Sequence, residues 1–444
     1  MPDRVTVYPA PEGVEPSPDY RLRADGREVF VHHCPAASYA LLSLTGAAEL
    51  EVEPSFAFEK VVVRPLSSGI TPRMEDGLVG LTLKEPAKLS VELDGDLSRP
   101  LFIFADPPDE DAPSPDAPGV RFFEAGRVHE PGLMEPGSGE TIYIEGGAVV
   151  RGAVLAESAE DVTVRGRGVL DGSAFVQTGR DRGPWLLRFM DCEGVRVEGI
   201  AAVMSPRWTM PCIGCRDVLA DGVRIITRGV GHDGIDFVGC RDATARDCFI
   251  RTDDDCVAVK ASTYRDQCGG QDVSGIRAEG CVLWDGLPGN ALEIGYETRC
   301  DRMDDIAFRD CDIIHAEWEG YSSGAALSIH NGDRATITNV LYEDIRVEDA
   351  QQKLIDLKVT LDRYSRDEER GHVRGATLRN IHVVDGPFPP SIIQGYDSDH
   401  TVEDVTIENL TVRGRPVADC AAAKLVIEKA RPPRFVVPGQ QRAT

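Results

Sequence analysis

The sequence predicts an all-β chain, a parallel β-helix preceded by a small β-sandwich. Three observations carry this. Residues 1–104 break into short apolar or alternating runs separated by Gly, Pro and Asp. Residues 105–119, ADPPDEDAPSPDAPG, are too polar and proline-rich for a packed element and read as a linker. From about residue 140 a strand-rich unit recurs to the end of the chain, so 120–444 forms the second, repetitive domain.

The N-terminal runs are VFVHH, YALLSLTG, AELEVEP, KVVVRPL, AKLSVELDG and RPLFIFAD. Short strands with turn residues between them suit a sandwich. The repeat includes EDVTVRGRGVL (160–170), EGVRVEGIAAV (193–203), RDVLADGVRII (216–226), RDATARDCFIR (241–251), SGIRAEGCVLW (274–284), DDIAFRDCDII (304–314), TNVLYEDIRVE (338–348), RGATLRNIHVV (374–384) and EDVTIENLTVR (403–413). Each is two strand-like pieces with a small or polar hinge, and successive units start 23 to 36 residues apart. A leucine-rich repeat needs a regular leucine scaffold, and propeller blades need four strands each. Val/Ile/Asp-rich units of variable length fit a β-helix instead.

Composition narrows the function. The chain has 444 residues and a net charge of −26. A negative field of that size argues against nucleic acid or an anionic membrane as partner, and against a polyanionic substrate unless the site carries local positive charge. No apolar run approaches a membrane span, and the N-terminus lacks the basic and apolar regions of a secretory signal, so a cytoplasmic protein is expected. Of twelve cysteines, Cys192, Cys215, Cys240, Cys248, Cys281 and Cys311 recur at similar places in successive units, as stacked buried thiols would. Cys212 and Cys215 have zinc-knuckle spacing but no matching second pair, and no cofactor or metal is expected.

Four strands align in register: GIDFV (234–238), CVAVK (256–260), ALEIG (291–295) and ALSIH (326–330). Alternation sends Ile235, Val257, Leu292 and Leu327 inward, followed by Phe237, Val259, Ile294 and Ile329. It leaves Asp236, Ala258, Glu293, Ser328, Val238, Lys260, Gly295 and His330 on an outer, mixed-charge strip. The same register stacks Asp233 on Asp255, with Asp254 beside it and Asn290 beyond. Crowded carboxylates raise one another's pKa, which lets one site hold an acid and a base together. Turn capping and a structural calcium site are the other readings of such an acidic cluster.

These residues resemble glycoside hydrolase family 28, the polygalacturonases, and the dextranase-like relatives of family 49. The likeness runs from GRGVLDG (166–172) through PWLLRFMDCEGVRVEGI (184–200) and SPRW (205–208) to HDGID (232–236) and DDDC (253–256). The family carries Asn-Thr-Asp-Gly-Ile-Asp and then Asp-Asp-Cys at nearly this spacing. The resemblance implies a right-handed β-helix, Asp254 as general acid, Asp233 and Asp255 as activators of water, and inversion at the anomeric carbon.

The departures are equally specific. Where the family has Gly-His-Gly, this chain has Gly289-Asn290-Ala291; where it has the uronate-binding Arg-Ile-Lys, Ser328-Ile329-His330 stand. Without those cations a neutral sugar is expected, with Asn290, Glu293 and His330 as substrate partners and Lys260 as a partial substitute. Trp208, Trp318, Tyr321 and Tyr396 are candidate sugar platforms, and His232 either tunes Asp233 or bonds within its turn. The expected activity is therefore an inverting hydrolase of a neutral oligo- or polysaccharide. A pectin-type hydrolase, a β-helix lyase or epimerase, and a non-catalytic carbohydrate-binding solenoid are the rivals.

Overall fold

The computed structural model describes residues 4–175, 183–263, 269–317, 324–351 and 353–438. Among them the N-terminal part forms two sheets. One orders Val5–Val7, Ala37–Leu44, Leu101–Asp106, Ala87–Leu93 and Val61–Arg64, with Val31–Cys34 also on Ala37–Leu44. The other orders Arg27–Val29, Tyr20–Ala24, Ala48–Pro54, Leu78–Leu83 and Arg73–Glu75. Inward residues of both, such as Leu22, Val52 and Leu81 against Leu42, Leu89 and Ile103, share one core. Tyr20–Ala24 and Leu78–Leu83 bury alternate side chains (Tyr20, Leu22, Ala24; Val79, Leu81, Leu83), the pattern of strands buried on one face only.

From Val120 to Val436 the chain winds into a right-handed parallel β-helix. Ile235 pairs with Val257, Val257 with Leu292, Leu292 with Leu327 and Leu327 with Ile355. A second column runs Phe237, Val259, Ile294, Ile329 and Leu357. Both columns lie in one continuous core. Each fully buried aliphatic or aromatic side chain contributes about 1.5–3 kcal/mol.

The polar hinges of the repeat have a backbone cause. Asp217, Asp242, Asp305, Asn339 and Asp404 occupy one corner at φ between 53 and 56°, and Gly275 and Gly375 take the same place in their coils. A second corner is held by Gly222, Asp247, Gly280, Asp310, Asp344, Asn380 and Asn409, all at positive φ. Asp, Asn and Gly are the residues that enter the left-handed region at least cost. Part of the large negative charge is thus architectural.

The cysteines form two ladders inside the helix. Cys215 and Cys240 direct Sγ to the Phe189 and Cys212 carbonyls, and Cys281 and Cys311 to those of Ala245 and Ala278. All eleven described cysteines are free thiols.

The sandwich docks on one face of the helix. Phe102 and Phe104 meet Phe249 at ring-centroid distances of 4.8 and 5.1 Å, and Trp284 closes the same cluster. Buried ion pairs flank it: Arg224 with Asp106, and Arg64 with Glu348 at 2.7 Å and Glu92 at 3.1 Å. Within the connecting segment, Asp109 pairs with Arg165 at 2.7 Å and accepts the Tyr143 hydroxyl at 2.8 Å, so this stretch is tied to the first coils.

Candidate active site

Three turns build the site. Asp233 precedes the strand Ile235–Val238, and Asp254 and Asp255 precede Val257–Lys260 one coil on. The Gly234 N–H donates to the Asp255 carbonyl at 2.8 Å, which sets the two aspartates side by side. One carboxylate oxygen from each of Asp233, Asp254 and Asp255 falls within 4.8 Å of the others.

The consecutive aspartates divide their work. Asp253 accepts the Gly229 N–H at 2.9 Å and pairs with Arg251 at 2.7 Å, so it fixes the turn. Asp254 accepts the Gly231 N–H at 2.6 Å and is the partly exposed member of the cluster. Asp255 is 8% exposed and accepts both the backbone N–H and the side-chain amide of Asn290, at 3.1 and 2.9 Å. Asn290 in turn accepts the Ala325 N–H at 2.9 Å, so it orients Asp255 from the next coil.

Beneath the cluster sits Lys260. Its ammonium lies 2.7 Å from Asp233, 2.7 Å from Asp236 and 3.7 Å from Asp255, with Nζ 4.1 Å above the Trp208 ring. The expectation that Lys260 meets a substrate carboxylate is corrected: it is 3% exposed and committed to these aspartates. Trp208 covers Lys260 and is itself partly exposed. The sequence placed Asp236 on the strip but assigned it no role; register shows only which face it occupies, and only the fold shows the shared ammonium.

Burial pushes the Asp233 and Asp255 carboxyls up; Lys260 pulls against this, and the neighbouring carboxylates add to it. Asp254 is driven well above the usual carboxylate range by desolvation and by the charges of Asp233 and Asp255. Desolvation alone would lower Lys260, but Asp233, Asp236 and Asp255 outweigh it and hold it protonated. Three converging carboxylates have the donor set for a cation. Here the ammonium already supplies that counter-charge, and a calcium ion would stand against it. Asp285, fully buried with neither oxygen hydrogen-bonded among the described residues, is raised well above the usual range by burial and then by Asp255 and Asp254.

The outer strip is polar as expected, but it is closed from solvent. Asp236, Glu293, Ser328 and His330 are all 0% exposed. Glu293 accepts from Ser328 and lies 2.9 Å from His330 Nδ1, while His330 Nε2 lies 3.4 Å from Asp356. Asp356 pairs with Lys358 at 2.8 Å and Lys353 at 3.1 Å. The Tyr296 ring stacks on His330 at 4.3 Å. Glu293 and His330 thus satisfy one another beneath the surface, which corrects their expected role as direct sugar partners. His232 bonds Thr227 Oγ1 at 3.3 Å within its turn. Tyr396 is 40% exposed in the turn of His400. Trp318 and Tyr321 lie outside the described residues.

The right-handed β-helix carries its carboxylate cluster where two stacked strands begin. The sequence profile of glycosyl hydrolases family 28 matches residues 146–386, more than half of the chain, and the chain belongs to that family. A probable polygalacturonase of Vitis vinifera is 28% identical over 118 residues, 24% of either chain. A probable polygalacturonase of Arabidopsis thaliana is 22% identical over 209 residues, 46% of this chain and 42% of its own. The chain thus spans less than half the length of these curated relatives. Among solved structures, Dex49A from Penicillium minioluteum superposes over 95% of this chain and 96% of its own, with a TM-score of 0.58 at 13% identity. A hyperthermoactive exopolygalacturonase from Thermotoga maritima gives 0.59 at 17% identity, covering 73% of this chain and 85% of its own.

Proposed function

We propose that the protein hydrolyses glycosidic bonds of a glycan whose reacting sugar is neutral, by single displacement with inversion. The observation that carries the reading is the carboxylate cluster within 4.8 Å, ordered by Lys260 below and Asn290 beside it. Asp254, partly exposed and raised, protonates the departing glycosidic oxygen. Asp233 and Asp255, held by Lys260 and Asn290, orient and deprotonate the attacking water. Inversion rests on family membership, since oxygen separations do not measure the acid–base gap that separates the two stereochemical outcomes.

Neutrality of the reacting sugar is supported by the buried strip. The place of a uronate-binding cation pair holds Ser328 and His330, both 0% exposed and bonded to Glu293. The names of the plant relatives favour a second reading, cleavage of polygalacturonate. Reducing-end assays on a panel of neutral oligosaccharides and polygalacturonate decide between them. Turnover of a neutral glycan supports the first reading; turnover of polygalacturonate alone supports the second.

A further inference from the structure

The strands Val257–Lys260, Leu292–Tyr296, Ala325–Asn331 and Lys353–Val359 leave the strip on the same side. The turns that follow them supply Ser262 and Thr263, Arg299, Arg334 and Arg366, which line one cavity of about 210 Å³. In a chain of net charge −26, three guanidiniums converge there.

The arginines are held in place. Asp367, on the same turn as Arg366, accepts Arg299 Nε at 3.2 Å and Arg334 Nη1 at 2.8 Å. Its own N–H and that of Arg366 bond to the buried Asp333 carboxylate at 2.8 and 2.6 Å. One carboxylate therefore serves two guanidiniums. The other partner of Arg334, Asp301, has 83% of its side chain exposed, so that pairing is screened. Among the described residues nothing accepts from the two terminal nitrogens of Arg299 or from Arg334 Nη2. Arg366 bonds the carbonyls of Arg363 and Ser365. A planar guanidinium anchored at Nε presents the fork that matches a carboxylate, sulfate or phosphate.

The cavity adjoins the carboxylate cluster. Ser262 is two residues beyond Lys260, hence within about 7 Å along the chain. The turn that carries Arg366 also carries Tyr364, whose ring lies 5.6 Å from Tyr296, the residue stacked on His330. Burial raises the Tyr364 phenol, and the nearby charges of Asp254 and Glu297 add to that, against Arg363.

We propose that this arginine-lined cavity is an anion subsite that takes a carboxylate, sulfate or phosphate group borne by a sugar beside the one cleaved. Its place on a glycan rests on the hydrolase reading; its affinity for an anion does not. Hydrolysis then acts at a neutral unit while recognition is anchored on a charged neighbour.

Calorimetric titration at low salt tests this with galacturonate, inorganic sulfate, inorganic phosphate and neutral galactose. Wild type binds at least one anion more tightly than galactose, and added NaCl weakens it. Arg299→Gln weakens that binding at least about tenfold without changing the melting temperature, and Arg299→Lys recovers part of it. Galacturonate binding best identifies a carboxylate-bearing sugar; sulfate or phosphate binding best identifies an ester. No anion Kd below about 10 mM in wild type, galactose binding as well as the anions, or equal affinity in Arg299→Gln overturns the proposal. Asp254→Asn is run alongside. It keeps the anion binding while losing turnover, so a protein without hydrolase activity and a cavity without anion affinity give separate results.

Discussion

The Lys260 ammonium stands 2.7 Å from Asp233 and 2.7 Å from Asp236 of the preceding coil, all three buried, on the same coil as Asp254 and Asp255. This contact separates the roles of otherwise similar aspartates. It pulls against the burial that raises Asp233, whereas Asp254 is driven higher by burial and then by the charges of Asp233 and Asp255.

Lys260→Met removes that pull. Two buried carboxylates lose their partner, and the fold loses about 3–5 kcal/mol. The Asp233 carboxyl then keeps its proton to higher pH, so the acidic limb of the kcat/KM–pH profile moves upward. Thermal melts and a pH–rate profile measure both effects; an unmoved acidic limb contradicts the role assigned to Lys260.

Asp253 and Asp254 separate stability from chemistry. Asp253→Asn weakens the bonds to Arg251 and Gly229, so it lowers the melting temperature and leaves kcat within about tenfold of wild type. Asp254→Asn leaves the fold intact and lowers kcat by about 10²–10⁴, the range of a lost general acid. Activity normalised to folded protein distinguishes the two.

His330 makes stability fall in alkali. Burial lowers its pKa, but Glu293 and Asp356 outweigh this and raise it to about 9. Its contribution, roughly 3 kcal/mol, is complete below the unfolded pKa of about 6.5 and is lost as pH rises through about 9. Asp236 and Glu297, raised by burial to about 6 and about 7, weaken the fold in the same direction from about pH 4 upward. Urea midpoints of wild type therefore fall between pH 6.5 and 9, and those of His330→Gln fall less over that window. Parallel curves would contradict the buried charge network.

The corners predict a backbone effect. Asp404 sits at φ 56° and is exposed. Asp404→Ala costs about 1–2 kcal/mol, because a Cβ-bearing residue without a local polar bond resists this region. Asp404→Gly is near neutral. Chemical denaturation of the pair reads the difference.

Much of this was legible beforehand. Alternation over GIDFV, CVAVK, ALEIG and ALSIH gave the register, and that register brought Asp233 beside Asp255. The buried state of Glu293 and His330 was not legible. Periodicity assigns a face to a residue, but not what covers it, here the Tyr296 ring stacked on His330. Lys260 looked available for substrate because its partners, Asp233 and Asp236, are 27 and 24 residues away in the chain. The arginine cavity was invisible for the same reason: its residues come from four turns that only coil stacking brings together. Asp285 carried no signal, since a lone aspartate after an apolar strand reads as an ordinary turn residue.

The most direct test of the account is proton NMR of a glycan digestion, run with wild type and Asp254→Asn in parallel. The account predicts that a neutral glycan releases new reducing-end anomeric signals with wild type. The first anomer has the configuration opposite to the cleaved bond, and Asp254→Asn releases almost none. Equal turnover by Asp254→Asn, or a first anomer of retained configuration, would contradict it.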